Sequence, residues 1–166
     1  MKIKIALFLV FLLSLGTQAQ DKKPKSPAMT EKGSINGAEI TINYGSPSVK
    51  GREIWGKLVP FGKVWRAGAN DATTFETNQN IKIEGKELPA GKYSFFIIPE
   101  KDSVTIIFNT EAKQWGAYDY NEQKDQLRIN VKPKNLETPS ENLVYSLTDK
   151  MLNIKWDNWI IPVSLK

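Results

Sequence analysis

The feature that most constrains this chain is a period of two, repeated almost wherever any period exists. Ile40, Ile42 and Tyr44 alternate with Thr41 and Asn43, and Leu127, Ile129 and Val131 alternate with Arg128, Asn130 and Lys132. Leu143, Tyr145 and Leu147 alternate again, Leu152, Ile154 and Trp156 follow, and Ile160 to Leu165 ends the chain. Successive side chains of a strand point to opposite faces, so each such run is a half-buried strand. Tyr93 to Ile98 is nearly continuous in apolar residues, as in a central strand covered on both faces. Gly85-Lys86, Leu88-Pro89-Ala90-Gly91, Pro99 and Lys101-Asp102 punctuate the runs as turns. Helix is confined to a turn or two near Glu111–Gln114 or Asn121–Asp125. Short strands at regular spacing predict an all-β, antiparallel two-sheet sandwich of eight to ten strands, jelly-roll-like, with a closed barrel as the alternative.

The organisation outside the strands is simple. Lys2 and Lys4, the apolar run Ile5 to Leu15 and the small-x-small Thr17-Gln18-Ala19 read as a signal peptide over residues 1–19, cleaved near Ala19/Gln20. The run is shorter than the roughly 20 residues of a membrane span, and no Cys follows it to carry a lipid anchor. The expectation is therefore an exported chain, periplasmic or extracellular, with no membrane span or lipid anchor after cleavage. Residues 20–30, rich in Lys, Pro and Ser, read as a flexible tail, and residues 31–166 as a single β-sandwich domain large enough to bury a full core.

Composition excludes more chemistry than it suggests. The chain has no Cys and no His. That removes thiol nucleophiles, disulfides, Ser-His-Asp triads and thiolate or imidazole metal sites. The 23 Lys and Arg against 18 Asp and Glu fall to 21 against 18 once Lys2 and Lys4 are removed, a mild +3. The cations are scattered among acids, so nucleic acid is not an expected partner. No cofactor is implied.

Ser46 to Phe75 breaks the strand rhythm. It has no clear period, yet it holds two of the five Trp, with Arg52, Arg66, four Gly and two Pro. Loops of costly side chains on a rigid scaffold are where function collects. Pro47 and Gly51 shape the turn that leads to Arg52, a planar fork suited to carboxylates, phosphates or sugar hydroxyls. Its structural alternative is an internal ion pair that pins the loop. Trp65-Arg66 precedes Ala67-Gly68-Ala69, which leaves room beside the indole, and Asn70-Asp71 adds an amide and a carboxylate. Trp65 as core and Asn70-Asp71 as a tight turn is the other reading.

A second aromatic loop, Trp115-Gly116-Ala117-Tyr118-Asp119-Tyr120, offers either a stacking surface or sheet core. Asp119, Asn121 and Gln123 have early calcium-loop spacing. Lys124 in place of Gly and Asn130 in place of Glu break the pattern, and no metal site is assigned. The ligand-binding candidates are Arg52, Trp65, Arg66, Asn70, Asp71, Trp115, Tyr118 and Asp119. Both loops are expected to meet at one end of the sandwich as one site for a saccharide or other small polar ligand. A carboxylate-based, glycosidase-like hydrolase using Asp71 and Asp119 is the enzymatic alternative. A structural or interaction domain of the cell envelope is the third. Whether the chain is an enzyme stays open.

The words Ser46-Pro47-Ser48-Val49-Lys50-Gly51-Arg52, Val64-Trp65-Arg66-Ala67-Gly68-Ala69-Asn70, Ala72-Thr73-Thr74-Phe75 and Trp115 to Tyr120, with the Gly85–Ser94 hairpin between them, carry a resemblance. The chain resembles domain of unknown function 2911, a family of exported bacterial proteins, over roughly Ile40 to Trp156. The family pattern carries Arg where this chain has Ser46 and Thr where it has Ala67. The resemblance implies an exported β-rich domain and no particular activity.

Overall fold

The computed structural model describes residues 26–166. The signal segment 1–19, its cleavage point and the tail up to Lys25 lie outside the described residues. Ten strands follow one another: β1 (Ala28–Ile35), β2 (Ala38–Gly45), β3 (Thr73–Thr77), β4 (Ile81–Ile83), β5 (Lys86–Leu88), β6 (Gly91–Pro99), β7 (Val104–Asn109), β8 (Asp125–Val131), β9 (Lys134–Leu147) and β10 (Met151–Ser164). A 3-10 turn, Glu122–Lys124, precedes β8, and the Asn121 side chain caps it by accepting from the Gln123 N–H.

Six strands form one antiparallel sheet in the order β1-β2-β3-β6-β7-β8. β9 and β10 pair antiparallel, and so do β4 and β5. An Ile83–Leu165 bridge, flanked by reciprocal backbone bonds between Lys82 and Lys166, joins these two hairpins into the facing layer. The fold is thus all-β, antiparallel and sandwich-like, and none of its sheets closes into a barrel. The β1–β2 turn is Asn36-Gly37, both at positive φ, the backbone that twisted two-residue hairpins require.

Alternation places the core. Ile40, Ile42, Tyr44, Phe75, Phe95, Ile97, Ile106, Phe108 and Ile129 from the large sheet meet Leu143, Tyr145, Leu152, Ile154, Trp156, Ile161 and Val163 from the facing hairpin. β6 is buried on both faces, because Phe96 also packs on the outer side with Ala72 and Ile107 under Ala117 and Tyr120. Two expectations are corrected. Residues 28–30 are strand, where a flexible tail to residue 30 was expected: edge pairing to β2 continues to Ala28–Gly45, and backbone hydrogen bonds outweigh the polar composition there. In addition, residues 151–164 are one strand. A bulge at Asp157 (φ +52) shifts the phase of β10, so Trp156 and Trp159 both point inward.

Candidate functional site

Gly45 ends β2, and the chain then crosses to β9. Ser46 Oγ donates to the Leu143 carbonyl at 2.7 Å, the Leu143 N–H to the Pro47 carbonyl at 2.9 Å, and the Val49 N–H to the Glu141 carbonyl at 2.7 Å. Lys50 and Gly51, both at positive φ, turn the chain sharply toward Arg52. The Arg52 side chain folds back over this turn, Nε donating to the Val49 carbonyl at 3.0 Å and Nη2 to the Ser48 carbonyl at 2.5 Å. It therefore pins its loop through carbonyls and makes no ion pair among the described residues.

The second wall comes from an interruption of β3. Thr73 pairs with Phe95 on β6, but two residues further along β6 the place opposite Ile97 is taken by Trp65. The Trp65 and Ile97 backbones exchange bonds of 2.8 and 2.9 Å. Residues 66–72 are consequently ejected from the sheet as a bulging loop. Ala67 (φ +52) and Asn70 (φ +65) sit in the left-handed region at its corners. The Ala67 carbonyl anchors it inside, accepting from Tyr145 Oη at 2.6 Å and Thr73 Oγ1 at 2.9 Å. Burial raises the Tyr145 pKa, consistent with a phenol locked in its neutral, donating form. The outer part rests on β2, with the Ala69 N–H donating to the Gly45 carbonyl at 3.2 Å. Any Cβ at Gly45 would collide with the Ala69 carbonyl oxygen, so only glycine admits this approach.

Two hollows flank this loop and share Ala69 and Asn70 as their wall. The first, a cleft of about 580 Å³, is lined by Ser48, Lys50, Arg52, Arg66 and Asn70 over a floor of Trp65 and Trp156. Trp65 stacks on Trp156 (5.4 Å, 17°), Trp55 stacks on Trp159 (4.5 Å, 15°), and the two pairs meet edge to face. Three cations line the cleft and, among the described residues, no carboxylate does. At the turn itself, Glu141 Oε1 accepts from the Lys50 backbone N–H at 2.9 Å. Arg66 Nε and Trp156 Nε1, together with Trp55 Nε1 in the cluster beneath, are buried donors without a hydrogen-bond partner. A buried orphan donor costs about 1–3 kcal/mol.

The second hollow, about 470 Å³, lies between the β1–β2 edge and the aromatic loop. Asp71 bridges to Trp115, and the Ala72 N–H donates to the Gln114 carbonyl at 3.0 Å. Gln114 is held in turn, its Nε2 donating to Ser94 Oγ, Asn109 Oδ1 and the Glu111 carbonyl. Trp115 stands 61% exposed on this support, beside Met29, Asn43, Asp71 and Thr74. Thr74 Oγ1 is a further buried group without a partner.

Of the residues singled out in the sequence, Arg52, Trp65, Arg66 and Asn70 line the cleft, while Asn70, Asp71 and Trp115 line the adjoining groove. The two loops do touch, through Asp71 and Trp115. Tyr118, 83% exposed, and Asp119, also exposed, line neither hollow. Asp71 and Asp119 therefore do not share a described cleft. Sequence reasoning passed over Lys50 and Trp156 as lining residues. Lys50 lay inside the shaped turn already singled out, whereas Trp156 carried only a strand signal from a distant part of the chain. Tyr120 is a clamp: its Oη donates to Asp125 Oδ2 at 2.5 Å and accepts from Arg128 Nη2 at 2.6 Å. Burial and the bond to Asp125 push its pKa up to about 12. Among the described residues no group of three or more Asp or Glu gathers at metal-binding distance.

Comparison with known protein families matches the family described as protein of unknown function (DUF2911) over residues 26–165. No curated protein and no solved structure matches the chain. Since the match takes in all ten strands and both hollows, the chain belongs to the DUF2911 family.

Proposed function

We propose that this protein is a binding module for a small anionic ligand, held in the cleft between the Ser48–Arg52 turn and the Arg66–Asn70 loop. One observation carries the reading: among the described residues, Lys50, Arg52 and Arg66 line the cleft without a carboxylate, and Arg66 has neither an ion-pair partner nor a partner for Nε. A guanidinium presents paired donors that match a carboxylate or phosphate. The indoles beneath exclude water, which strengthens any charge pairing above them. Donors without a base suit binding better than acid–base catalysis. The N-terminal pattern of residues 1–19 supports placing this activity outside the cytoplasm.

The test is calorimetric titration of residues 20–166 with acetate, glucuronate, citrate and inorganic phosphate, with the thermal midpoint followed in parallel. A ligand that binds only the native state raises that midpoint. Binding that weakens as salt rises, and that Arg66→Gln reduces by about tenfold to a hundredfold, supports the reading. Absence of binding by every anion, with Arg66→Gln merely unfolding earlier, rejects it.

A further inference from the structure

Groove and cleft are opposite in character and share one wall. The cleft is cationic, with Lys50, Arg52 and Arg66. The groove beyond Ala69-Asn70 offers an exposed indole, Trp115, bordered by Asp71, Asn43 and Thr30. Trp115 stands apart from the cluster that the other four Trp form, and its 61% exposure makes it unusual for a residue that ordinarily buries its area. Its backbone is nonetheless held firmly, by the bridge to Asp71 and the bonds of neighbouring Gln114. A rigid, exposed indole beside short polar side chains fits a hydroxyl-rich ring: the C–H face lies on the aromatic and the hydroxyls bond at the edge. Asp71 disfavours a second anion there. Thr74 Oγ1, buried and unpartnered, lies in the same groove.

From this we infer that the ligand is an acidic oligosaccharide, with an acidic sugar in the Arg66 cleft and a neighbouring neutral sugar stacked on Trp115 across the Ala69-Asn70 wall. The inference rests on the anion-binding reading of the cleft and names its substrate class. Asn70 stands at the crossing point. Its Nδ2 donates to the Ser26 carbonyl at 3.2 Å, and its Oδ1, which accepts no hydrogen bond among the described residues, is the atom to meet a hydroxyl.

The experiment measures affinities of wild type, Trp115→Ala, Trp115→Phe and Arg66→Gln for four probes. The probes are a tetrasaccharide alternating glucuronate with N-acetylglucosamine, glucuronate alone, the neutral tetramer of N-acetylglucosamine, and a tetrapeptide of glutamate. The alternating tetrasaccharide is expected to bind wild type and to quench Trp115 fluorescence. Trp115→Ala then weakens it about tenfold, the value of a lost aromatic stack, and Trp115→Phe restores most of that. Glucuronate alone binds Trp115→Ala and wild type equally, while Arg66→Gln weakens both acidic saccharides. The inference is overturned if Trp115→Ala leaves the tetrasaccharide unaffected, if the neutral tetramer binds as well as the acidic one, or if only the glutamate peptide binds. In the first and last outcomes the anion cleft survives. Loss of glucuronate binding together with the rest removes the anion reading as well.

Discussion

Arg66→Met separates a binding residue from a structural one more sharply than any loss-of-function change. Methionine keeps an unbranched apolar stem in the cleft that Arg66 lines with Trp65 and Trp156, while removing the charge and the orphan Nε. A residue kept for stability would lose its contribution on replacement. Arg66 has no salt bridge to lose among the described residues, and its Nε is a buried donor that costs about 1–3 kcal/mol unmet. The guanidinium also sits in the same cleft as two like charges, Lys50 and Arg52. Partial exposure of the side chain reduces the gain, so unliganded Arg66→Met is expected to be more stable than wild type by about 1 kcal/mol. Anion affinity should fall by about tenfold to a hundredfold, the loss of a charge-assisted hydrogen bond. Urea unfolding gives the first quantity, with an unchanged m-value as the control for two-state behaviour, and titration with glucuronate gives the second. A variant that unfolds at clearly lower urea than wild type would refute the reasoning, because Arg66 would then be holding the loop together.

Gly45→Ala drives a methyl into the Ala69 backbone, with Ala69 C at 2.9 Å, and strains the Ala69 N–H to Gly45 bond. It should cost about 2–4 kcal/mol in urea unfolding, well above Gly37→Ala, whose Cβ meets nothing and whose only penalty is its φ of +85. Tyr145→Phe alone should cost about 1 kcal/mol, since the Ala67 carbonyl keeps Thr73 Oγ1. The double variant with Thr73→Val orphans that carbonyl, and its unfolding free energy should fall by more than the two single losses combined. Tyr120, raised from its ordinary 10 to about 12, should make wild type lose stability from about pH 10 to 12. The unfolded phenol ionises first in that range, so the folded state holds more protons and stability falls as pH rises. Tyr120→Phe should lessen this alkaline fall in urea midpoint relative to pH 8. Trp65→Ala should cost about 3 kcal/mol by emptying the Trp156 stack, whereas Trp115→Ala should stay within about 0.5 kcal/mol, both read from urea midpoints.

The sheets were legible because alternation is a local property. Ile40–Tyr44 and Leu127–Val131 state which face is buried without reference to any partner, and the unbroken apolar run Tyr93–Ile98 states that both are. What the alternation could not carry was the bulge of β10. At Asp157 the chain changes phase, and only pairing to β9 shows that Trp156 and Trp159 belong to one strand and one face. β1 was hidden differently: its residues are largely exposed, and its order comes from backbone bonds to β2 and from Leu147, whose N–H donates to Glu31 Oε1 at 2.9 Å. The site was legible as composition. Arg52, Trp65, Arg66 and Asn70 do line one cleft. Its division into two hollows was not legible, because their common wall, Ala69-Asn70, is set by how closely the Ala69 backbone approaches Gly45, a matter of small residues with no pattern of their own.

That wall follows from competition for one lane of the sheet. β6 offers Ile97 a single partner on the β3 side, and Trp65 takes it. An indole there completes the stack with Trp156 and covers the end of the core, a gain that Asp71, the residue next in register, could not supply. With Trp65 in the lane, residues 66–72 must leave the sheet, and two left-handed turns at Ala67 and Asn70 carry them back to Thr73. The loop is thus a by-product of packing a half-buried tryptophan against the core, and its Ala67 carbonyl is tied into that core by two hydroxyls. A loop expelled by packing and fixed by buried hydrogen bonds can hold Arg66 unpaired at the lip of an apolar floor without needing that side chain for its own stability. The same constraint sends Asp71 outward to pair with Trp115. Both hollows therefore stand or fall together with the Trp65–Ile97 bridge, and a variant that lets Asp71 reclaim the lane should erase the cleft and the groove at once.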